Sequence, residues 1–109
     1  MTFNEYQQDA LRTAGLFDSN TTRLAMMALG LAGEAGEAAD YIKKHLYHGH
    51  VLERQTLAKE LGDILWYVSA MADAIGYNLE TIAKMNVKKL EKRYPEGFSS
   101  ERSISRKDF

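Results

Sequence analysis

The sequence predicts an all-α protein: an antiparallel four-helix bundle, one domain over residues 1–109, oligomeric and ending in an irregular tail. Three observations point there. Apolar residues recur at three- and four-residue spacing through four stretches, with almost no strand-type alternation. Gly15, Gly76 and Pro95 stand where such stretches stop. The connections are short, which makes consecutive helices antiparallel neighbours.

The first helix runs from residue 3 to about residue 14: Thr2 and Glu5 form a capping box, and Gly15 is the stop. Asp18-Ser19-Asn20-Thr21 offers N-cap side chains for the second. Its core positions Leu24, Ala28, Leu31, Ala35, Ala38, Ile42 and Leu46 continue to about Tyr47, and His48-Gly49-His50 ends it. The third begins between Glu53 and Thr56, presents Leu57, Leu61, Ile64, Leu65, Val68, Met71, Ala72 and Ile75 on one face, and stops at Gly76. Asn78 caps a fourth through Leu79, Ile82, Ala83, Leu90 and Arg93, closed by Pro95. Residues 96–109, with four serines and mixed charge, read as irregular.

Composition narrows the class. Apolar residues are 45% and charged residues 27% of the chain, the balance of a folded domain. At 109 residues the core is modest, and small helical domains often gain burial by oligomerising. A net charge of -1 gives no broad electrostatic case for nucleic acid or a membrane surface. Without cysteine, disulfides and thiolate metal sites are excluded. Met1-Thr2-Phe3-Asn4-Glu5 lacks the pattern of a secretory leader, and the weakly apolar run over residues 24–33 is too short for a bilayer, so a cytoplasmic location is expected.

Two stretches repeat one pattern. Glu34-Ala35-Gly36-Glu37-Ala38-Ala39-Asp40-Tyr41 and Glu60-Leu61-Gly62-Asp63-Ile64-Leu65-Trp66-Tyr67 both read Glu-x-Gly-acid-x-x-x-Tyr. On a helix the two acids lie about 60° apart, with the tyrosine one turn on. Taking Glu60 as zero, Leu57, Leu61, Ile64, Val68 and Ile75 fall between about 40° and 100°, Asp63 near -60° and Tyr67 near -20°. The acids border the apolar stripe, and the second helix repeats the arrangement. Packed side by side, the helices would line a groove with four carboxylates, which repel unless cations lie between them. The plain alternative is a solvated glutamate face. Against it stand the mid-helix glycines Gly36 and Gly62, each costing ~1 kcal/mol relative to alanine, with Gly30 and Gly33 adding to the burden. Such glycines imply close approach of a backbone or a ligand.

All-oxygen donors suit Mg²⁺, with Mn²⁺ as a substitute, better than zinc. A di-iron bundle would want Glu-x-x-His, whereas Glu37 and Asp63 occupy those positions. Magnesium held by a few carboxylates completes its shell with water and phosphate oxygens. Hydrolysis of a phosphoanhydride follows as the implied chemistry.

Glu34-x-x-Glu37, 22 intervening residues and Glu60-x-x-Asp63 together resemble the signature of the all-α nucleoside triphosphate pyrophosphohydrolases, specifically the MazG-like group. The resemblance extends to Lys44-His45-Leu46-Tyr47-His48-Gly49-His50 and to Asn86-Val87-Lys88-Lys89-Leu90-Glu91-Lys92-Arg93-Tyr94-Pro95, and covers residues 24–98. It implies Mg²⁺-dependent cleavage between the α- and β-phosphates, giving a monophosphate and pyrophosphate by attack of a metal-activated water on the α-phosphorus. It also implies that Glu34, Glu37, Glu60 and Asp63 are metal ligands or water-activating catalytic groups. Position favours Glu37 as general base. Assembly as a homodimer or homotetramer, with nucleotide often bound between subunits, is implied as well.

Triphosphate binding needs further cations. Asn86, Lys89 and Arg93 share one stripe, which periodicity alone leaves open as a solvated face; the likeness of Asn-x-x-Lys-Leu-x-x-Arg-Tyr favours phosphate or sugar contacts. Lys44 lies on the side of Glu37 and Tyr41 and is a further phosphate candidate. Arg102, Arg106 and Lys107 in the tail read first as solubilising charge and second as groups that close over a site. Trp66, near 240° on the same wheel, projects from its helix's core stripe, which implies a subunit interface ahead of a base-stacking surface. Tyr41 and Tyr67 either order the acids by hydrogen bonds or pack at the core edge. His45, His48 and His50 read as a polar helix end, not a zinc site, and Met26, Met27, Met71 and Met85 as core filler. The substrate-binding candidates are thus Lys44, Asn86, Lys89, Arg93, Trp66 and Tyr67. The competing reading is a non-catalytic helical module that binds a nucleotide or a protein through the same groove.

Overall fold

Capping side chains set the helix boundaries. In the computed structural model, which describes residues 1–106, Thr2 Oγ1 accepts from the Glu5 N–H at 3.1 Å and the Thr2 N–H donates to Glu5 Oε1 at 3.0 Å. That box starts α1 (Phe3–Leu11). Ser19 Oγ accepts from the Thr22 N–H to start α2 (Asn20–Tyr47), and Asn78 Oδ1 accepts from the Thr81 N–H to start α4 (Leu79–Arg93). Between them, α3 (Arg54–Ala74) ends in left-handed Gly76, φ 83°, as the N–H groups of Gly76 and Tyr77 return to the carbonyls of Asp73 and Ala72. Regular α1 stops three residues before its expected end. The N–H groups of Arg12, Thr13 and Ala14 bond to carbonyls three residues back, so the last turn tightens.

The tail differs from expectation. Ser99 caps a short helix, α5 (Ser100–Ser105), and Arg102 Nε donates to the Arg93 carbonyl at 2.6 Å, closing the C-terminus of α4. Cationic caps are favoured at that end of a helix. Lys107 lies outside the described residues. Among those described there is no strand, and no helix is long and apolar enough to cross a membrane.

The most extensive packing joins α2 to α3; α1 lies on α3, and α4 meets α1 and α3. At the start of α4 Leu79 is buried and residues 80–83 are half-buried, whereas residues 84–92 are exposed. Among the described residues the buried apolar set is small: Ala10, Met27, Ala38, Ala70, Ala72, Ala74 and Leu79.

On α2 the buried stripe is Leu24, Met27, Leu31, Glu34, Ala38 and Tyr41, whereas Ala28, Ala35, Ile42 and Leu46 are exposed. This corrects the expected register. Both stripes have helical spacing, and α3 takes the one containing Gly30, where a methyl group would overlap the Tyr67 ring. Leu61 on α3 and Ile75 just beyond its end are exposed too, as are Met26 and Met85, so of the methionines only Met27 and half-buried Met71 fill the core.

Buried amides fasten α1. Gln7 Nε2 donates to the carbonyls of Ser69 and Tyr77, and its Oε1 accepts from the Leu79 N–H at 2.8 Å. One side chain thereby ties α1 to α3, the following turn and α4. Asn4 exchanges two hydrogen bonds with Glu80.

Candidate functional site

Because α3 meets the Glu34 stripe, the acidic residue itself enters the helix interface instead of bordering it. Glu34, Glu37 and Glu60 each present a carboxylate oxygen, and the three oxygens lie within 4.8 Å of one another. Glu34 and Glu60 are half-buried and Glu37 is exposed at the rim. One oxygen of Glu34 and one of Glu60 are shielded from solvent and have no hydrogen-bond donor. Buried acceptors of that kind are costly and rare.

Burial pushes the Glu34 carboxyl above its ordinary range. The charge of Glu37, a hydrogen bond with the Glu60 carboxyl and the charges of Asp63 and Glu60 push the same way. Among the described residues, no lysine or arginine is a cause of that shift. Asp63 is exposed and outside the close triad, yet it acts on Glu34 and on Tyr6 of α1, whose hydroxyl is raised first by burial and then by Asp63. Tyr6 has no sequence signal that would place it near the acids.

The donor set fits a hard divalent cation. It is all oxygen, negatively charged and partly desolvated, and its orphaned oxygens have lone pairs to give. Glu34, Glu37 and Glu60 would hold such an ion, with Asp63 one helical turn on from Glu60.

Other sequence candidates are placed differently. Lys44 and Lys43 each pair with Asp40 at 3.0 Å, and those hydrogen bonds, Lys44 first, hold the Asp40 carboxyl below its usual range. The i,i+4 spacing of Asp40 and Lys44 was the available signal. Tyr41 serves α3: its hydroxyl accepts from the Glu53 N–H at 2.9 Å. Tyr67 lies over Gly30 and meets Trp66 edge to face, ring centroids 5.0 Å apart.

Trp66 is half-buried instead of exposed. Its Nε1 donates to the Ala10 carbonyl and to Thr13 Oγ1, both at 3.0 Å, because α1 covers the face on which it projects. Gly36 and Gly62 have nothing near the position of an added methyl, so within the chain the expected close approach belongs to Gly30. Asn86 and Lys89 are exposed on α4, and Arg93 at its end is half-buried. His45 Nδ1 lies 2.8 Å from the His50 carbonyl, part of the helix end.

Residues 22–98 match the MazG nucleotide pyrophosphohydrolase domain. The chain belongs to this family. The matched span holds all four motif acids and leaves α1 outside it. The "Gene 37 protein" of Mycobacterium phage L5 is 38% identical over 78 residues, covering 68% of each chain, and its name states no activity. No solved structure matches. Membership of the MazG family carries nucleotide pyrophosphohydrolase chemistry as its general activity, and the acidic cluster agrees with the family's metal dependence.

Proposed function

We propose that the chain hydrolyses nucleoside triphosphates to monophosphates and pyrophosphate in a Mg²⁺-dependent reaction in the cytoplasm. The observation that carries this reading is the convergence of Glu34, Glu37 and Glu60, with two shielded oxygens lacking donors. When bound, a divalent cation supplies the positive charge that acidifies a water and polarises phosphoryl oxygens.

The chain's own residues do the rest. Glu34 and Glu60 fix the inner end of the site because their helices are packed together. Glu37, exposed at the rim, takes the proton of the attacking water. The water oxygen bonds to the α-phosphorus, the bond from that phosphorus to the bridging oxygen breaks, and pyrophosphate leaves. Asp63 adds negative charge beside the triad and serves as a further ligand. Lys44, released from Asp40, and Asn86, Lys89 and Arg93 from α4 are the phosphate and sugar contacts of this reading, with Tyr67 and Trp66 supporting the wall behind the acids.

The reading includes a homodimer or homotetramer. Ala25, Ala28, Ala32, Ala35, Ala39, Ile42 and Leu46 alternate three- and four-residue spacing, and all are exposed. This second stripe lies about 100° round α2 from the one facing α3, on the flank away from Glu37. Small side chains at coiled-coil spacing suit close packing of another helix, so α2 and α3 of two chains would complete the four-helix bundle. The test is pyrophosphate release with Mg²⁺ across a nucleotide panel. Release from at least one triphosphate supports the enzyme; nucleotide binding with no release from any would favour the non-catalytic module.

A further inference from the structure

A cavity of about 420 Å³ opens where the starts of α1 and α4 meet α3, and none of the four motif acids lines it. Its wall includes Phe3 and Tyr6 of α1, Leu65 of α3 and Glu80 of α4. Phe3 and Tyr6 stand three residues apart and so share one face of α1. Phe3 is 51% exposed, which leaves aromatic surface in the wall to stack against. Half-buried Leu65 lies two residues beyond Asp63. Tyr6 belongs to both surroundings: it lines the cavity, and its hydroxyl is raised by burial first and by the Asp63 charge second. The cavity therefore lies beside the Asp63 end of the acidic site. One polar group in the wall is held in place. Asn4 Nδ2 donates to Glu80 Oε2 and Asn4 Oδ1 accepts from the Glu80 N–H, both at 3.1 Å. The other carboxylate oxygen, Oε1, has no hydrogen-bond partner among the described residues.

We propose that this cavity receives the base of the substrate nucleotide, and that Glu80 selects bases with an exocyclic amino group over those with a carbonyl there. The proposal rests on the nucleotide reading of the acidic site. A base has flat apolar faces and a polar edge, and the wall offers a match for each. Phe3, Tyr6 and Leu65 meet the faces, and Glu80 meets the edge. An ionised carboxylate accepts hydrogen bonds and donates none. The N4 amine of cytosine can donate to Glu80 Oε1. Uracil carries a carbonyl oxygen in its place, and its N3–H lies between two carbonyl oxygens that an approaching carboxylate repels. Selectivity thus comes from repelling the wrong base as well as from holding the right one. Adenine and guanine carry amino groups too, so the shared chemistry is the amine and not the ring size. Phe3 and Tyr6 lie outside residues 22–98, the span that matches the family.

Cytidine and uridine nucleotides differ only at that group and the N3 hydrogen that goes with it, so they make the cleanest comparison. Calorimetry on the full chain with Mg²⁺ compares the non-hydrolysable α,β-methylene analogues of CTP and UTP. Wild type, Glu80→Gln and Phe3→Ala are titrated, with helicity followed by circular dichroism. Wild type should bind the cytidine analogue at least about tenfold more tightly. In Glu80→Gln, Asn4 Nδ2 would hold the oxygen of the new amide and leave its NH₂ toward the base, so the preference should vanish or reverse. Phe3→Ala should weaken both analogues by a similar factor, because stacking does not read the edge. Equal affinities in wild type, a cytidine preference that survives Glu80→Gln, or unchanged binding by Phe3→Ala would overturn the proposal. So would failure of both analogues to bind. Pyrophosphate release from CTP and UTP, measured in parallel, reads the catalytic proposal separately. Release with unselective binding would remove the base site and keep the enzyme, whereas selective binding without release would do the reverse.

Discussion

Glu34 of α2 and Glu60 of α3 turn their carboxyl groups toward each other across the helix interface, and a shielded oxygen of each has no donor. Two acids so placed repel when both are ionised. The pairing therefore opposes stability in the empty site and favours it once a cation or a proton intervenes. Their helices approach closely enough for this because Gly30 yields room to Tyr67.

The pH dependence of the metal-free protein follows with a definite sign. The folded-state pKa of Glu34 is raised, so this group's contribution is fully present below the ordinary glutamate range and is lost as pH rises through the folded value. Thermal melts in chelator should thus show stability declining above that ordinary range. Glu34→Gln should flatten the decline, and saturating Mg²⁺ should reverse it in the wild type. A profile unchanged by Glu34→Gln would contradict Glu34 as the origin of the decline.

Catalysis should depend on acids at the rim more than stability does. Glu37→Gln and Asp63→Asn are each expected to lower pyrophosphate release at least about 100-fold while leaving helicity intact. Both residues are exposed, so neither substitution opens a cavity. Steady-state rates beside circular dichroism separate lost chemistry from lost fold.

The glycines divide by surroundings. Gly30→Ala would overlap the Tyr67 ring and should cost about 1–3 kcal/mol as an overpacked contact. At Gly36 and Gly62 an added methyl meets open space, and each alanine should raise stability by up to about 1 kcal/mol through helix propensity. Denaturant melts of the three variants check the contrast.

Gln7 is the strongest fastener of α1. Gln7→Leu keeps the volume but strips partners from the Leu79 N–H and from the carbonyls of Ser69 and Tyr77. A loss of roughly 2–4 kcal/mol is expected in urea unfolding. Trp66 fluorescence should change as well, because its indole bonds to α1.

Local signals in the sequence were legible where one or two side chains decide the outcome. Thr2 with Glu5, Ser19, Asn78 and Gly76 mark helix ends, and the convergence of Glu34, Glu37 and Glu60 follows from their spacing. The choice between the two apolar stripes of α2 was not legible, since Ala35 and Ile42 hold helical spacing as well as Leu31 and Ala38 do. Only the fit of Tyr67 against Gly30 distinguishes them. Trp66 projects away from its own helix's stripe, and its cover comes from α1, far off in sequence. Lys44 carried a local competitor in Asp40. The helix after Ser99 depends on one cap and a contact from Arg102 to Arg93, too little to rise above a serine-rich composition.

The most direct test of the central claim is a Mn²⁺ titration followed by electron paramagnetic resonance, run on wild type and on Glu34→Gln/Glu60→Gln. The expected result is a bound-ion fraction in the wild type that disappears in the double variant while helicity is retained. Equal binding by both proteins, or none by the wild type at millimolar Mn²⁺, would contradict a cation site between α2 and α3.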